Sequence, residues 1–177
     1  FFVMTLCWSR HQYAEMVSNQ RVETWLGCHK RAFEWFGGLP DKITIDNAAC
    51  AIAKASYTEP EAIKSYAEFA QDCDFIIQAC PPYSPEKKGI VESGVKYIKR
   101  NFLPLKNFVS LSDANQQLKH WIMKIAGIRI HGTTREKPLS LFELERQLLN
   151  PLPKLIPEHC IWKNLLVHRN GYVRYQY

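Results

Sequence analysis

Two carboxylates stand where acid chemistry would need them. Asp46 ends a short β-branched stretch, Ile43-Thr44-Ile45, and is followed by Asn47; the carboxyl end of a strand is where open α/β sheets present ligands. Glu92 follows a stiff segment, Pro81-Pro82-Tyr83-Ser84-Pro85, that reads as neither helix nor central strand. A helix is expected to start at Gly89, which puts Glu92 in its first turn. On that helix Glu92, Lys96 and Lys99 fall at i, i+4 and i+7 and share one face, opposite Val91, Val95 and Ile98. Hard carboxylate oxygens suit Mg²⁺ and neighbouring lysines neutralise phosphates, so the stripe reads as a site for a divalent cation and a phosphate backbone together. Each acid also has a plainer account. Glu92 with Lys96 is an i,i+4 surface pair worth roughly a few tenths of a kcal/mol, and Asp-Asn is a common turn dipeptide.

The elements that must carry these residues can be read from periodicity. Residues 1–8 are apolar and aromatic throughout, as in a strand covered on both faces, and residues 12–17 can return as its antiparallel partner. Val22, Trp25, Leu26, His29, Phe33 and Phe36 have helical spacing, stopped by Gly37-Gly38 and Pro40. A second helix is expected from Glu59 to Gln71 and a strand at Phe75-Ile76-Ile77, and the Glu92 helix runs to about Phe102. Ser112-Asp113 would cap a helix bearing Leu118, Trp121, Ile122 and Ile125, and Ser140 with Glu143 a last helix bearing Leu141, Leu144, Leu148 and Leu149. Pro151, Pro153 and Pro157 mark a linker, and residues 161–177 read as a strand and a hairpin at Asn170-Gly171. The reading divides the chain into a core over 1–137, a helix and Pro-rich linker over 138–157, and the beginning of a small β domain over 158–177. The class is α/β.

At 177 residues and 46% hydrophobic content the chain can build a core without disulfides. Its six cysteines are scattered, with no C-x-x-C pair, as expected of reduced cytosolic thiols. The six histidines show no H-x-x-x-H or H-E-x-x-H spacing, which argues against zinc chemistry, and Ser84 and Ser93 lack a nucleophile-elbow context. No apolar run is long enough to span a bilayer. The net charge of +6 is uneven: residues 1–86 carry 7 Lys/Arg against 11 Asp/Glu, net −4, whereas residues 87–137 carry 11 against 3, net +8. A basic middle third suits a polyanion partner and equally a solvated basic face. Arg129, Arg135 and Lys137 fit DNA contacts and a solvated helix end alike. The tryptophans fall mostly on apolar faces and read as core. The chain opens at Phe1, inside an apolar run and without an initiator Met, as a piece of a longer polypeptide would.

The segment Pro82-Tyr83-Ser84-Pro85-Glu86-Lys87-Lys88-Gly89-Ile90-Val91-Glu92-Ser93 resembles that around the catalytic Glu of retroviral integrases and related bacterial transposases. Ile45-Asp46-Asn47 is similar to their second-Asp motif, with Ala48 where Gly is common. Forty-five residues separate Asp46 from Glu92, a spacing typical of one bacterial branch. Phe33-Glu34-Trp35-Phe36-Gly37-Gly38-Leu39-Pro40, Tyr66-Ala67-Glu68-Phe69 and His131-Gly132-Thr133-Thr134-Arg135-Glu136-Lys137-Pro138 look like the IstA-type transposases of two-gene insertion sequences.

The resemblance implies a ribonuclease H-like mixed sheet flanked by helices, in which Asp, Asp and Glu hold two Mg²⁺ (or Mn²⁺) ions. It implies that Asp46 and Glu92 are catalytic metal ligands and that Lys96, Lys99, Arg100, Lys87, Lys88 and Tyr83 contact DNA or border the site. The first Asp is absent, since none precedes Asp41; it is expected roughly 10–20 residues upstream of Phe1, on a first strand missing here. With two of three ligands, this chain alone would be inactive. The activity implied is cleavage and strand transfer at the ends of an insertion sequence into target DNA, by a homo-oligomer of two or more protomers in the bacterial cytoplasm, on the nucleoid, without a membrane, and with an IstB-type AAA+ helper ATPase as a possible partner. The alternative is a degenerate, non-catalytic remnant that binds DNA.

Overall fold

The computed structural model describes residues 1–45, 51–54, 61–80, 85–104, 106–154 and 166–172, with the backbone alone at 53, 54, 61, 85–88, 90 and 91. The chain is a mixed α/β structure. It opens with strands β1 (Phe2–Thr5) and β2 (Gln12–Glu15), paired antiparallel with Phe2 opposite Glu15 and Thr5 opposite Gln12. Helix α1 (Val22–Phe36) ends as its glycines foretell: Gly37 takes the left-handed conformation, φ 71°, and donates to the Phe33 carbonyl. Strand β3 (Lys42–Ile45) later pairs in parallel with β6 (Ile76–Ala79), and between them lie β4 (Ile52–Lys54), β5 (Glu61–Ala62) and helix α2 (Lys64–Asp72). Helix α3 (Pro85–Asn101), helix α4 (Leu111–Trp121), a π-helical turn (Ile122–Ala126) and helix α5 (Pro138–Glu145), ending in a 3₁₀ turn at Arg146–Leu148, complete the described elements.

The core is divided by α1. Leu26 and Phe33 face Ile43, Ile45, Tyr66, Phe69 and Phe75, while Cys28, Ala32 and Phe36 face Phe2, Leu6 and Tyr13 of the hairpin. A third cluster joins Ala14 to Ile98 and Phe102 of α3 and to Leu118, Trp121 and Ile122. Each large apolar side chain so buried contributes roughly 1.5–3 kcal/mol. Among the described residues the strands form three two-stranded ladders.

Several expectations are corrected. The apolar run 1–8 is strand only to Thr5; Cys7 and Trp8 sit exposed in the hairpin turn, because that turn needs Leu6 N–H on the His11 carbonyl and Arg10 N–H on Leu6. Helix α2 begins at Lys64, since Glu61–Ala62 pairs with Ile52–Lys54 and Ile63 N–H donates to Ala51. Helix α3 starts at Pro85, a position proline tolerates in a first turn. Glu92 is therefore the eighth residue of that helix rather than in its first turn. The α4 cap is Ser110, whose hydroxyl accepts from Asp113 N–H at 3.1 Å, not Ser112. The π turn shifts the helical phase, so Ile122 is buried but Ile125 is turned to solvent. Helix α5 starts at Pro138 without the Ser140 cap, and Leu144 and Leu148 are exposed.

The segment after α5 is tied back to the core. Leu39 and Asn150 exchange backbone hydrogen bonds of 3.0 and 2.9 Å. Gly171, φ 79°, sits in the turn expected at Asn170-Gly171, where its N–H donates to His168; of the strand expected around it, residues 166–168 and 172 are not strand, and 161–165 and 173–177 lie outside the described residues.

Candidate functional site

Helix α3 positions the candidate site through one buried and one exposed face. Ile98 and Phe102 are fully buried against Ala14, Leu118 and Trp121, whereas Glu92, Lys96, Lys99 and Arg100 are all exposed. The helix meets the hairpin at Gly94, where an added Cβ would run into the Gln12 amide. Gln12 itself donates to the Thr5 hydroxyl at 3.2 Å, so the side chains of the β1/β2 pair form the floor on which α3 rests. Two residues from this contact, Glu92 points away from the core.

Glu92 and Lys96 do not form the i,i+4 ion pair that their spacing allows; Lys64 and Glu68 in α2 do, at 3.8 Å. Among the described residues Glu92 has no ion-pair partner. An exposed, uncommitted carboxylate is the donor type that Mg²⁺ or Mn²⁺ takes. Among the described residues no group of three His, Cys, Asp or Glu side chains could hold a metal ion. Asp46, Ala48 and Tyr83 lie outside the described residues, and Lys87 and Lys88 are on α3 with their side chains outside the description. Next to Asp46, Ile45 is held in the core, its carbonyl accepting from Cys80 N–H at 2.8 Å. This bond extends the parallel β3/β6 register by one residue, to the positions that precede Asp46 and Pro81.

Glu15, Cys28 and His29, buried around α1, are committed to structure. Glu15 takes two hydrogen bonds from Arg31, at 2.9 and 2.6 Å, and one from the Tyr13 hydroxyl at 2.8 Å. Burial alone would raise the Glu15 carboxyl, but the bonds from Arg31, Cys28 and Tyr13 outweigh it and hold the group below its ordinary value. Burial pushes the Cys28 thiol far up, so it is inert. His29 donates from Nδ1 to the Trp25 carbonyl at 2.9 Å and accepts at Nε2 from the Tyr66 hydroxyl at 3.1 Å. It is a satisfied core histidine.

Sequence reasoning missed the basic cavity on the adjacent face of α3. Arg10, Arg129 and His131 line it together with Ser93 and Tyr97. Of its residues the sequence singled out Arg129, as a candidate DNA contact, and His131, in the transposase-like tail motif; Arg10 lies more than a hundred residues before both, so nothing local joins the three.

Residues 1–85 match the model of the integrase core domain. The chain is 34% identical over 86% of its length to the transposase of insertion sequence IS21 from Pseudomonas aeruginosa, covering 40% of that protein. It is 30% identical over 99% of its length to the transposase of an IS21-like element from Bacteroides fragilis, covering 34% of that protein. The chain thus spans well under half the length of these curated relatives.

Proposed function

We propose that the chain is a member of the IS21-type insertion-sequence transposases, which its integrase-core match and its relatives support, and that it is the catalytic core of a DDE transposase acting on DNA. The reading rests above all on the exposed α3 stripe, Glu92 beside Lys96, Lys99 and Arg100, within a similarity that runs along 86–99% of the chain. Asp46 and Glu92 serve as metal ligands and are joined by a third carboxylate from a strand that precedes β1. In favour of such a strand, β1 has no strand partner besides β2 and β3 none besides β6 among the described residues. Met4 packs against both the hairpin cluster and the β3/β6 cluster. A strand between β1 and β3 would turn the two ladders into one mixed, ribonuclease H-like sheet.

When bound at these carboxylates, a pair of Mg²⁺ or Mn²⁺ ions supplies an activated oxygen nucleophile and stabilises the leaving oxygen. The chain's own residues orient the strand: Lys96, Lys99 and Arg100, with Lys87, Lys88 and Tyr83, hold the phosphates on either side of the scissile bond. Water attacks the phosphorus at the element's end and the 3′-oxygen leaves. That 3′-hydroxyl then attacks a target phosphodiester in line, expelling the next 3′-oxygen. Neither step needs a covalent bond to the protein. Two element ends call for two or more protomers, and an IstB-type AAA+ ATPase would serve as helper. Residues 1–137 are the core, 138–157 a helix and linker, and 158–177 the beginning of a small β domain. The setting is the bacterial cytoplasm, on the nucleoid; no helix among the described residues is long and apolar enough to cross a membrane.

The test is Glu92→Gln in the intact protein. The amide keeps the shape and loses the charge, so metal-dependent strand transfer should vanish while DNA affinity holds. Strand transfer that persists would remove Glu92 from the metal site. DNA binding without any strand transfer by the unsubstituted protein would favour a non-catalytic DNA-binding remnant.

A further inference from the structure

We propose that the cavity between the β1/β2 turn, α3 and residues 126–133 is a phosphate pocket that grips a backbone phosphodiester of the same DNA, one step off the α3 stripe. This rests on the DNA reading above and assigns it a second set of residues. The cavity measures about 550 Å³, and Arg10, Arg129, His131, Ser93 and Thr133 line it; among the described residues no Asp or Glu does.

Both guanidinium groups are built in rather than draped over the surface. Arg129 lies over the Tyr97 ring, its guanidinium carbon 3.8 Å from the centroid, which fixes the plane of the cation and leaves its edge to donate. Arg10 holds a left-handed backbone, φ 63°, an uncommon conformation for a residue with a Cβ, and its N–H closes the hairpin on Leu6 at 3.1 Å. The Nε of each is shielded from solvent without a hydrogen-bond partner. Among the described residues neither guanidinium has a carboxylate partner. Two partly desolvated cations facing one cavity without counter-charge are costly in the free protein, and an anion relieves that cost.

The third basic group is ready to donate. Thr133 N–H gives its hydrogen to His131 Nδ1 at 3.2 Å, so the neutral ring carries its proton on Nε2. Burial, then the positive charges of Arg129 and Arg10, hold this imidazole below its ordinary value, as expected where three basic groups converge. The geometry of α3 supplies the link to DNA. Ser93 and Tyr97 follow Glu92 and Lys96 in sequence, each about 100° further round the helix. A strand that tracks along the lysines therefore brings a neighbouring phosphate to the cavity.

The test compares Arg10→Gly, Arg129→Gln and the double variant in the intact protein, measuring affinity for duplex DNA as a function of salt. Glycine suits the left-handed position, so Arg10→Gly should fold at least as well as the parent while losing the cation. Each single variant should flatten the log–log salt dependence by about one unit and the double by about two. Lys96→Ala, run in parallel, separates the two readings. If Lys96→Ala flattens the slope and the arginine variants do not, the pocket is not a DNA site and the proposal falls alone. If none of them changes the slope, the DNA interface on α3 falls with it. Inorganic phosphate that binds the parent and not the double variant, with DNA affinity unchanged between them, would make this a small-anion site and also overturn the proposal.

Discussion

The Trp35 indole N–H donates to Nε2 of His11 at 3.1 Å, within a stacked pair of rings whose centroids are 6.0 Å apart. This bond needs a lone pair on Nε2, so the neutral tautomer with its proton on Nδ1 is the one that fits, and protonation would set two N–H groups against each other. His29 is bound in the same sense, with Nε2 accepting from Tyr66.

Acid should therefore unfold the protein earlier than its carboxylates alone would. Burial lowers both His11 and His29 from 6.5 to about 4, with the Trp25 carbonyl opposing this slightly at His29. The unfolded chain binds these protons first, so the stabilisation is whole above pH 6.5 and is lost as pH falls through about 4. The loss is on the order of 3 kcal/mol per histidine. Burial would raise Glu15, but its bonds to Arg31, Cys28 and Tyr13 hold it below its ordinary value, so it adds a further loss as acid protonates it. Urea midpoints at pH 7 and pH 4.5 check this, and equal midpoints would contradict it.

Asn115 behaves as a strand partner for the end of β2. Its side chain accepts from Met16 N–H at 2.7 Å and donates to the Met16 carbonyl at 3.0 Å, docking α4 on the hairpin. Asn115→Ala should cost about 1–3 kcal/mol, because both Met16 groups lose their partner. Asn115→Asp keeps the acceptor but sets a second carboxylate oxygen against the Met16 carbonyl, so it should cost at least as much. Equilibrium denaturation of the two variants reads the difference directly.

Gly38 allows residues 149–150 to reach the core. A Cβ there would stand 2.7 Å from the Asn150 carbonyl oxygen and 2.8 Å from Leu149 Cβ, so the backbone bridge to Leu39 must move. Gly38→Ala is expected to destabilise the protein by about 1–3 kcal/mol. Hydrogen exchange should quicken at the Leu39 and Asn150 amides; unchanged protection at both would mean that the bridge absorbs the methyl group.

Lys96 and Lys99 are predicted to act as phosphate contacts without sequence preference. Lys96→Ala and Lys99→Ala should each flatten the salt dependence of DNA binding by about one unit. The loss should be alike on element-end and unrelated duplexes. Slopes equal to the parent's would leave both lysines as a solvated helix face.

The features legible along the chain are local in character. Periodicity placed α1 with its bounds, Gly37 ended it, and the alternation in residues 12–17 identified the return strand, because each signal is carried by neighbours in the chain. The motif around Glu92 carried the resemblance to integrases and transposases for the same reason: its residues are contiguous. The structure alone decided where that helix begins, since Pro85 punctuates a loop and starts a helix equally well. Strand β5 stood where a helix was expected because a strand of two residues is made by its partner rather than by its own composition. Long-range pairing decided the rest. Glu145 accepts from the Trp8 and Ser9 amides at 3.3 and 2.9 Å, Asn115 clasps Met16, and Arg10 and Arg129 face one cavity. Hydrogen bonds and charges that act across a hundred residues leave no period in a sequence; only the folded chain brings them within reach.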